Sequence, residues 1–166
     1  MNTTPLKKLK IDDFGMLLQV YASDENFHNP YNESTYLNLN TGDLKYLYLD
    51  DNDADFAECE TGIPASENIK NRNQVLNNPN DYLEISGADH GTHHEILIDF
   101  IHSNWTNDQT RKQNAINAYH KSIGWWIKEL EKIGEHEAVD KYHKYKAQIL
   151  EKRCIEFLNT HGIDPV

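Results

Sequence analysis

Three histidines near the middle of the chain form its densest group of metal-ligating side chains. His90, His93 and His94 lie close together, with acidic residues on both sides. Zinc requires three or four converging nitrogen, oxygen or sulfur ligands. The motif Thr92-His93-His94-Glu95 also fits a helix start, with Thr92 as N-cap and Glu95 completing a capping box, so that His93 and His94 point in different directions. The cluster therefore predicts either a metal site completed by a distant ligand or simply exposed histidines.

The acidic segment at residues 51–55 begins like a calcium-binding loop. It reads Asp-Asn-Asp-Ala-Asp, which places carboxylates at alternating positions. A calcium loop also needs a glycine at its sixth position for the bend and a glutamate at its twelfth, and here those positions hold Phe56 and Gly62. The pattern therefore favours a solvated acidic loop over residues 50–60 rather than a calcium site.

Nucleophilic or cofactor-dependent catalysis finds little support in the sequence. Cys59 stands between Glu58 and Glu60, and neighbouring negative charge disfavours the reactive thiolate. Cys154 falls in a helical pattern and is expected in the core. We expect both thiols to be reduced, because the chain carries no secretion signal. No phosphate-binding loop, dinucleotide-binding glycine motif or nucleophile elbow occurs. The sequence thus predicts no cofactor and favours a protein that is not an enzyme.

Charge is the most useful bulk property of the chain. Residues 1–100 carry 18 acidic and 6 basic side chains, whereas residues 101–166 carry 9 and 10. Phosphate recognition depends on lysine and arginine, which argues against DNA or anionic lipid as a partner of the first half. A basic protein is the natural electrostatic complement. No apolar run follows the basic start and none is long enough to span a bilayer, so we expect a cytoplasmic protein.

The predicted docking residues combine two tyrosines of one strand, the acidic segment that follows it and one tryptophan. They are Tyr46, Tyr48, Asp50, Asp51, Asp53, Asp55, Glu58, Glu60 and Trp125. Adjacent tryptophans on a helix face different directions, so we expect Trp126 in the core and Trp125 near solvent, where it would anchor a partner. The sequence thus predicts an acidic interaction protein, for example an inhibitor or immunity-type protein. The alternative is a metal-binding protein or metal-dependent enzyme that uses the histidine cluster. The oligomeric state stays open.

The elements that would position these residues are strands first and helices later. Residues 35–49 alternate apolar and polar side chains around Gly42, which predicts a β-hairpin whose leucines face the core. Residues 82–85 predict a third strand. A short helix over residues 11–21, capped by Asp12, precedes the hairpin, and another is expected near residues 66–76.

The second half is predicted to be helical, with about four helices. Capping boxes begin at Thr92 and Thr106, an apolar stripe follows Ile123, Gly134 ends that helix, and the last helix covers about residues 137–160. We therefore expect one α+β domain over residues 1–166, in which a small antiparallel sheet precedes a helical half. Residues 1–100 would form the acidic, sheet-containing half and residues 101–166 the helical half.

The order of these motifs resembles uncharacterised protein family 0158 of the UPF series, bacterial proteins of about this length. The shared features are the strand, Thr-Gly turn and second strand around Gly42, the acidic stretch, the Tyr82-Leu83-Glu84-Ile85 segment, and the C-terminal run from Trp125-Trp126 through Gly162-Ile163. Tyr142 and Phe157 stand where the family pattern has tryptophan. The resemblance implies a fold and brings no catalytic residues with it.

Overall fold

A computed structural model of the chain describes residues 5–23, 33–61, 64–119 and 122–166. These residues group into two compact units. Unit 1 comprises residues up to Gly87 together with Cys154–Val166, and unit 2 comprises Ala88–Arg153. The division falls earlier than the predicted boundary at residue 100, and the end of the chain belongs to unit 1. The prediction of a single domain stays a prediction.

The fold is α+β, as predicted. The strands are β1 (Lys7–Leu9), β2 (Glu33–Asn38), β3 (Leu44–Tyr48), β4 (Tyr82–Glu84) and β5 (Ile163–Pro165). The helices of the described chain are α1 (Phe14–Ala22), α2 (Asp51–Thr61), α3 (Ala65–Asn77), α4 (His90–Asp99), α5 (Gln109–Ala118), α6 (Ile123–Lys132) and α7 (His136–Thr160). A 3₁₀ turn at Pro79–Asp81 precedes β4, and a π-helical turn at Phe100–Asn104 follows α4.

The sheet of unit 1 is antiparallel with strand order β3-β2-β4. Leu37 on β2 lies opposite both Leu44 and Leu83, whereas Leu47 on β3 lies opposite Ser34. Because paired residues share a face, Leu37 and Leu47 point to opposite faces of the sheet. Leu37 and Leu47 are both buried, which confirms for them the prediction that leucines meet the core, but Leu49 is 48% exposed, so the prediction is wrong for that residue. The sheet is covered on both sides. Tyr46 lies on the same face of the sheet as Leu37, so it does not lie on a separate polar face.

Each face of the sheet has its own cover. The face of Leu37 belongs to a hydrophobic cluster whose other buried members are Leu9, Ile11, Leu17, Ile85, Cys154, Leu158 and Ile163. Cys154 is therefore a core residue, as predicted. On the other side α2 and α3 pack against β3. The parallel pairing of β1 with β5 was not predicted, because each strand has only three residues.

Aspartates, not threonines, begin three of the helices. Asp13 caps α1 by accepting a hydrogen bond from the Met16 N–H at 2.9 Å, so the prediction that Asp12 does so is wrong. Asp89 caps α4 and Asp108 caps α5, which corrects the predicted starts at Thr92 and Thr106. Several residues near each start could serve as a cap, and aspartate is at least as good as threonine.

The segment predicted as an acidic loop is the helix α2. Asp50 begins it, because its side chain accepts a hydrogen bond from the Asn52 N–H at 2.7 Å. Asp51 and Asp53 lie in the first turn, where negative charge is favourable next to the helix N-terminus. Ala54 is buried, and α2 packs against α3. Tertiary packing has therefore overridden the weak apolar content of this segment.

The core of unit 2 is built around aromatic rings that pack edge-on or tilted against one another. Tyr142 lies 5.5 Å from Phe100 and 5.4 Å from Trp126, measured between ring centroids, and all three side chains are buried. Trp125 is 39% exposed. The predicted placement of Trp126 in the core and Trp125 near solvent is confirmed, because a turn of about 100° per residue sends neighbours to different sides of α6.

Tyr142 offers a test of this core at high pH. Burial raises the pKa of Tyr142 to about 12, and its hydroxyl has no hydrogen-bond partner among the described residues. Tyr142→Phe keeps the aromatic ring contacts and removes this buried polar group. We expect the variant to be unchanged or up to about 1 kcal/mol more stable at neutral pH.

The pH dependence has a defined sign. An unfolded tyrosine ionises near pH 10, before the native side chain does, so stability is fully present below pH 10 and falls as pH rises towards 12. Tyr142→Phe should reduce that fall, as measured by urea unfolding followed by tryptophan fluorescence. Tyr145→Phe is the control at neutral pH only, because burial and the hydrogen bond to Asp99 raise the pKa of Tyr145 to about 12 as well. It removes the hydrogen bond that Tyr145 donates to Asp99 and should destabilise unit 2 at neutral pH. A large loss of stability in Tyr142→Phe at neutral pH would contradict the assignment.

Candidate interaction surface

The net charge of the protein resides in unit 1. This unit carries 17 acidic and 6 basic residues, whereas unit 2 carries 10 of each. The total net charge of −11 is therefore that of unit 1 alone. The boundary between the units therefore also separates the charged part of the protein from the neutral part. It does so more closely than the predicted boundary at residue 100.

Five of the predicted docking residues lie in helix α2, and a sixth, Asp50, caps this helix. Asp51 forms an ion pair with Arg72 of α3 at 2.7 Å, and the Asp51 side chain stays 65% exposed. Glu58 accepts a hydrogen bond from the Ala65 N–H at 2.9 Å and so stabilises the first turn of α3. These two acids have structural partners within unit 1. The side chain of Glu60 lies outside the described part of the structure.

Asp53 and Asp55 have no ion pair within the described residues of unit 1. Asp55 is exposed and Asp53 is half-buried. The last turn of α2 has no basic residue, although cations are the favourable charges at a helix C-terminus. The acids of α2 thus exceed what capping and pairing within the fold require, and this surplus is what a basic partner would neutralise.

Tyr46 lies on β3 among further carboxylates. It is 39% exposed. Burial of part of its ring raises the pKa of Tyr46, and the negative charges of Asp13 and Glu33 raise it further. Sequence reasoning missed both acids. Glu33 lies near Tyr46 because of the register in which β2 pairs with β3, and Asp13 lies near it because α1 begins there. Neither proximity can be predicted from the residues that neighbour Tyr46 in the sequence.

Tyr48 is the more constrained of the two tyrosines. It is half-buried, and its main-chain N–H and C=O are both bound by the side chain of Asn68 on α3, at 2.7 and 3.0 Å. Trp125 belongs to unit 2, where the Ser122 side chain caps α6 by accepting from the Trp125 N–H at 3.3 Å. The predicted docking residues are therefore distributed over two units, with eight of the nine in unit 1.

No protein-family model, curated protein or solved structure matches this chain. The resemblance to family 0158 stays a prediction. No helix in the described residues is long and apolar enough to cross a membrane.

The histidines do not form a metal site among the described side chains. His93 is 2% exposed, so the expectation of exposed histidines is wrong for this residue. The His94 ring packs against Tyr119 at 5.3 Å. The side chain of His90 lies outside the described part. Within the residues that are described, no three histidine, cysteine or acidic side chains are placed to hold a metal ion.

The acid next to this cluster has a structural role. Asp89 accepts a hydrogen bond from the Thr92 N–H at 2.6 Å, and this bond holds the pKa of Asp89 below its usual value. His93 lies on the apolar side of α4, because its spacing of three and four positions from the buried Ile96 and Leu97 places these residues on one helix face. Residues 51–55 are helical and do not form a loop that wraps an ion.

Proposed function

We propose that the protein is a non-enzymatic interaction protein whose unit 1 binds a basic protein partner. One observation carries the proposal: the whole net charge belongs to unit 1, and α2 holds acids that the fold does not neutralise. An inhibitor or immunity-type protein that masks a cationic enzyme is the concrete form. A cytoplasmic location, membership of family 0158 and the absence of DNA binding are parts of the same proposal.

The physical reason is electrostatic complementarity. A strongly acidic surface raises the rate of encounter with a basic partner, and that rate falls as salt screens the field. The exposed ring of Tyr46 between acidic neighbours adds a contact suited to an arginine or lysine of the partner, because aromatic faces attract cations. An excess of acids alone would also serve solubility, so the test must separate a local surface from overall charge.

The test compares two double variants with the same change in net charge. Asp53→Asn with Asp55→Asn neutralises α2, and Asp140→Asn with Glu151→Gln neutralises two exposed acids of α7 in unit 2. Affinity capture from the native cell at two salt concentrations supplies the partner, and its binding to each purified variant is then measured. We expect the α2 variant to bind about fivefold to tenfold more weakly, or about 1 kcal/mol, and the α7 variant to bind as the parent does.

The proposal fails if the captured partner binds both variants equally, or if its association rate is the same at both salt concentrations. Capture of nucleic acid instead of a basic protein would also overturn it.

A further inference from the structure

Strand β3 lies at one edge of the unit 1 sheet, with β2 on one side and no strand of the described chain on the other. In an antiparallel pair, successive residues direct their main-chain groups alternately towards the partner strand and away from it. The Asn38 N–H donates to the Asp43 carbonyl at 2.8 Å, so the odd-numbered residues of β3 bond to β2. The main-chain groups of Leu44, Tyr46 and Tyr48 therefore point away from β2.

The side chain of Asn68 shows this direction and closes one end of the edge. It accepts a hydrogen bond from the Tyr48 N–H at 2.7 Å and donates one to the Tyr48 carbonyl at 3.0 Å. A neighbouring antiparallel strand would make the same pair of bonds. No hydrogen bond among the described residues occupies the outward groups of Leu44 and Tyr46. We call the outward main-chain groups of these two residues the open edge.

The open edge matches an extended main chain. Its N–H and C=O groups repeat every second residue, about 6.8 Å apart. An extended polypeptide repeats its own donors and acceptors at the same spacing, whereas a helix uses its main-chain groups internally. In such strand addition, main-chain hydrogen bonds supply affinity and alternate side chains supply specificity. Tyr46 is the exposed residue of β3, so this part of the strand is accessible.

The side chains around Tyr46 select a basic segment. Glu33 lies opposite Tyr48 and therefore on the same face of the sheet as Tyr46. Partial burial raises the pKa of Tyr46, and the negative charges of Asp13 and Glu33 raise it further, which shows that both acids act at this ring. A residue that pairs with Tyr46 from an added strand would place its side chain on this face. A lysine or arginine there gains the acids and the aromatic ring together.

We propose that an extended basic segment of the partner adds to the open edge as an antiparallel strand, with lysines or arginines at alternate positions on the face of Tyr46. This inference rests on the proposed function and describes the segment that unit 1 recognises. Antiparallel pairing is slightly more stable than parallel pairing and continues the pattern of this sheet. A second copy of the chain fits the edge poorly, because it would bring like charges together.

Three peptides with the same charge test strand addition on the full chain. The parent is an acetylated, amidated hexapeptide of alternating lysine and threonine. The second carries methyl groups on the main-chain nitrogens of its lysines, and the third carries them on those of its threonines. Only the lysine N–H groups would face the open edge. We expect the lysine-methylated peptide to bind about tenfold more weakly than the parent, and the threonine-methylated peptide to bind as the parent does.

Hydrogen exchange of single amides locates the bound peptide. The parent peptide should slow exchange of the Leu44 and Tyr46 N–H groups, whereas the Leu47 N–H already pairs with β2 and should change little. Protection of the Tyr46 N–H by raising the concentration of the protein alone would place a second copy at this edge and overturn the proposal.

The outcomes also separate strand addition from the proposed function. Equal binding of all three peptides overturns strand addition, since charge alone then explains the binding and the proposed function stands. Absence of binding by the parent peptide likewise overturns strand addition only. The proposed function is decided separately, by the captured partner and the variant Asp53→Asn with Asp55→Asn.

Discussion

Replacing Gly42 with alanine will destabilise unit 1 by about 3–5 kcal/mol. Gly42 closes the hairpin between β2 and β3 at a φ of 83°, and the left-handed region costs a non-glycine residue about 1–2 kcal/mol. A Cβ at this position would also lie only 1.8 Å from the main-chain oxygen of Lys10. Because the obstacle is backbone, no side chain can rotate to relieve it, and the turn and the segment before α1 must move apart.

The hydrogen bonds around this turn show what that movement would break. The Gly42 N–H donates to Asn38 at 2.9 Å, and the Gly42 carbonyl accepts from the Asp12 N–H at 3.3 Å. The close approach therefore joins the hairpin to the chain that leads into α1. Domains are stable by only about 5–15 kcal/mol, so a loss of this size is a large share of the total.

Gly162→Ala is the matched control within the same unit. Gly162 has a φ of 80°, but nothing lies within 4 Å of the position of an added Cβ. It should cost only the conformational term, about 1 kcal/mol. All three tryptophans belong to unit 2, so urea unfolding should be followed by far-ultraviolet circular dichroism and by hydrogen exchange of unit 1 amides. Equal losses in the two variants would show that the contact with Lys10 does not constrain the turn.

The hairpin could be predicted because its signals are local. Alternating leucines and tyrosines surround a glycine that alone fits the turn, and these act over a few residues. The face that Tyr46 shares with Leu37 could not be predicted in the same way. That arrangement depends on tertiary contacts, because α2 and α3 cover the second face of the sheet and both faces are therefore buried.

Helix α2 shows why polar sequences are difficult to assign. Five of its eleven residues are acidic, and only Ala54 is buried among those whose side chains are described. The helix is stabilised by Asp50 at its start and by packing on α3, and neither contribution appears in its apolar periodicity. The charge surplus was predictable by counting, whereas its division at Gly87 required the tertiary contacts.

The starts of the helices were uncertain for a different reason. Asp12 and Asp13 can both cap α1, and Asp89 competes with Thr92 at α4. The choice of cap sets where each helix begins, whereas the burial of His93 follows from its spacing to the buried Ile96 and Leu97. An error of this size leaves the helix assignment intact and changes only its first turn.

Asn68→Ala is expected to destabilise unit 1 by about 2–4 kcal/mol. β3 is an edge strand of the sheet, and edge strands leave main-chain groups that need other partners. Asn68 is 6% exposed, and its amide satisfies both the N–H and the C=O of Tyr48. Alanine would remove two hydrogen bonds and leave two shielded main-chain groups unsatisfied, each of which costs about 1–3 kcal/mol.

Two further variants separate hydrogen bonding from packing. Asn68→Asp keeps the shape but loses the donor and places a carboxylate against the Tyr48 carbonyl, so it should be at least as destabilising as alanine. Asn71→Ala, one turn along α3, removes only a bond to the Lys45 side chain and should cost less than about 1 kcal/mol. If Asn68→Asp were as stable as the parent, the main-chain hydrogen bonds could not be what holds α3 to β3.

The exchange rate of one amide gives the decisive measurement. The Tyr48 N–H is protected only while Asn68 accepts from it, so Asn68→Ala should speed its exchange far more than that of the Leu47 amide, which pairs within the hairpin. This bond also holds β3, the strand that carries Tyr46, to α3, against which the acidic helix α2 packs. A variant that frees Tyr48 should therefore weaken binding of the basic partner together with stability. Unchanged partner binding in a folded Asn68→Ala protein would mean that Tyr46 contributes nothing to the acidic surface.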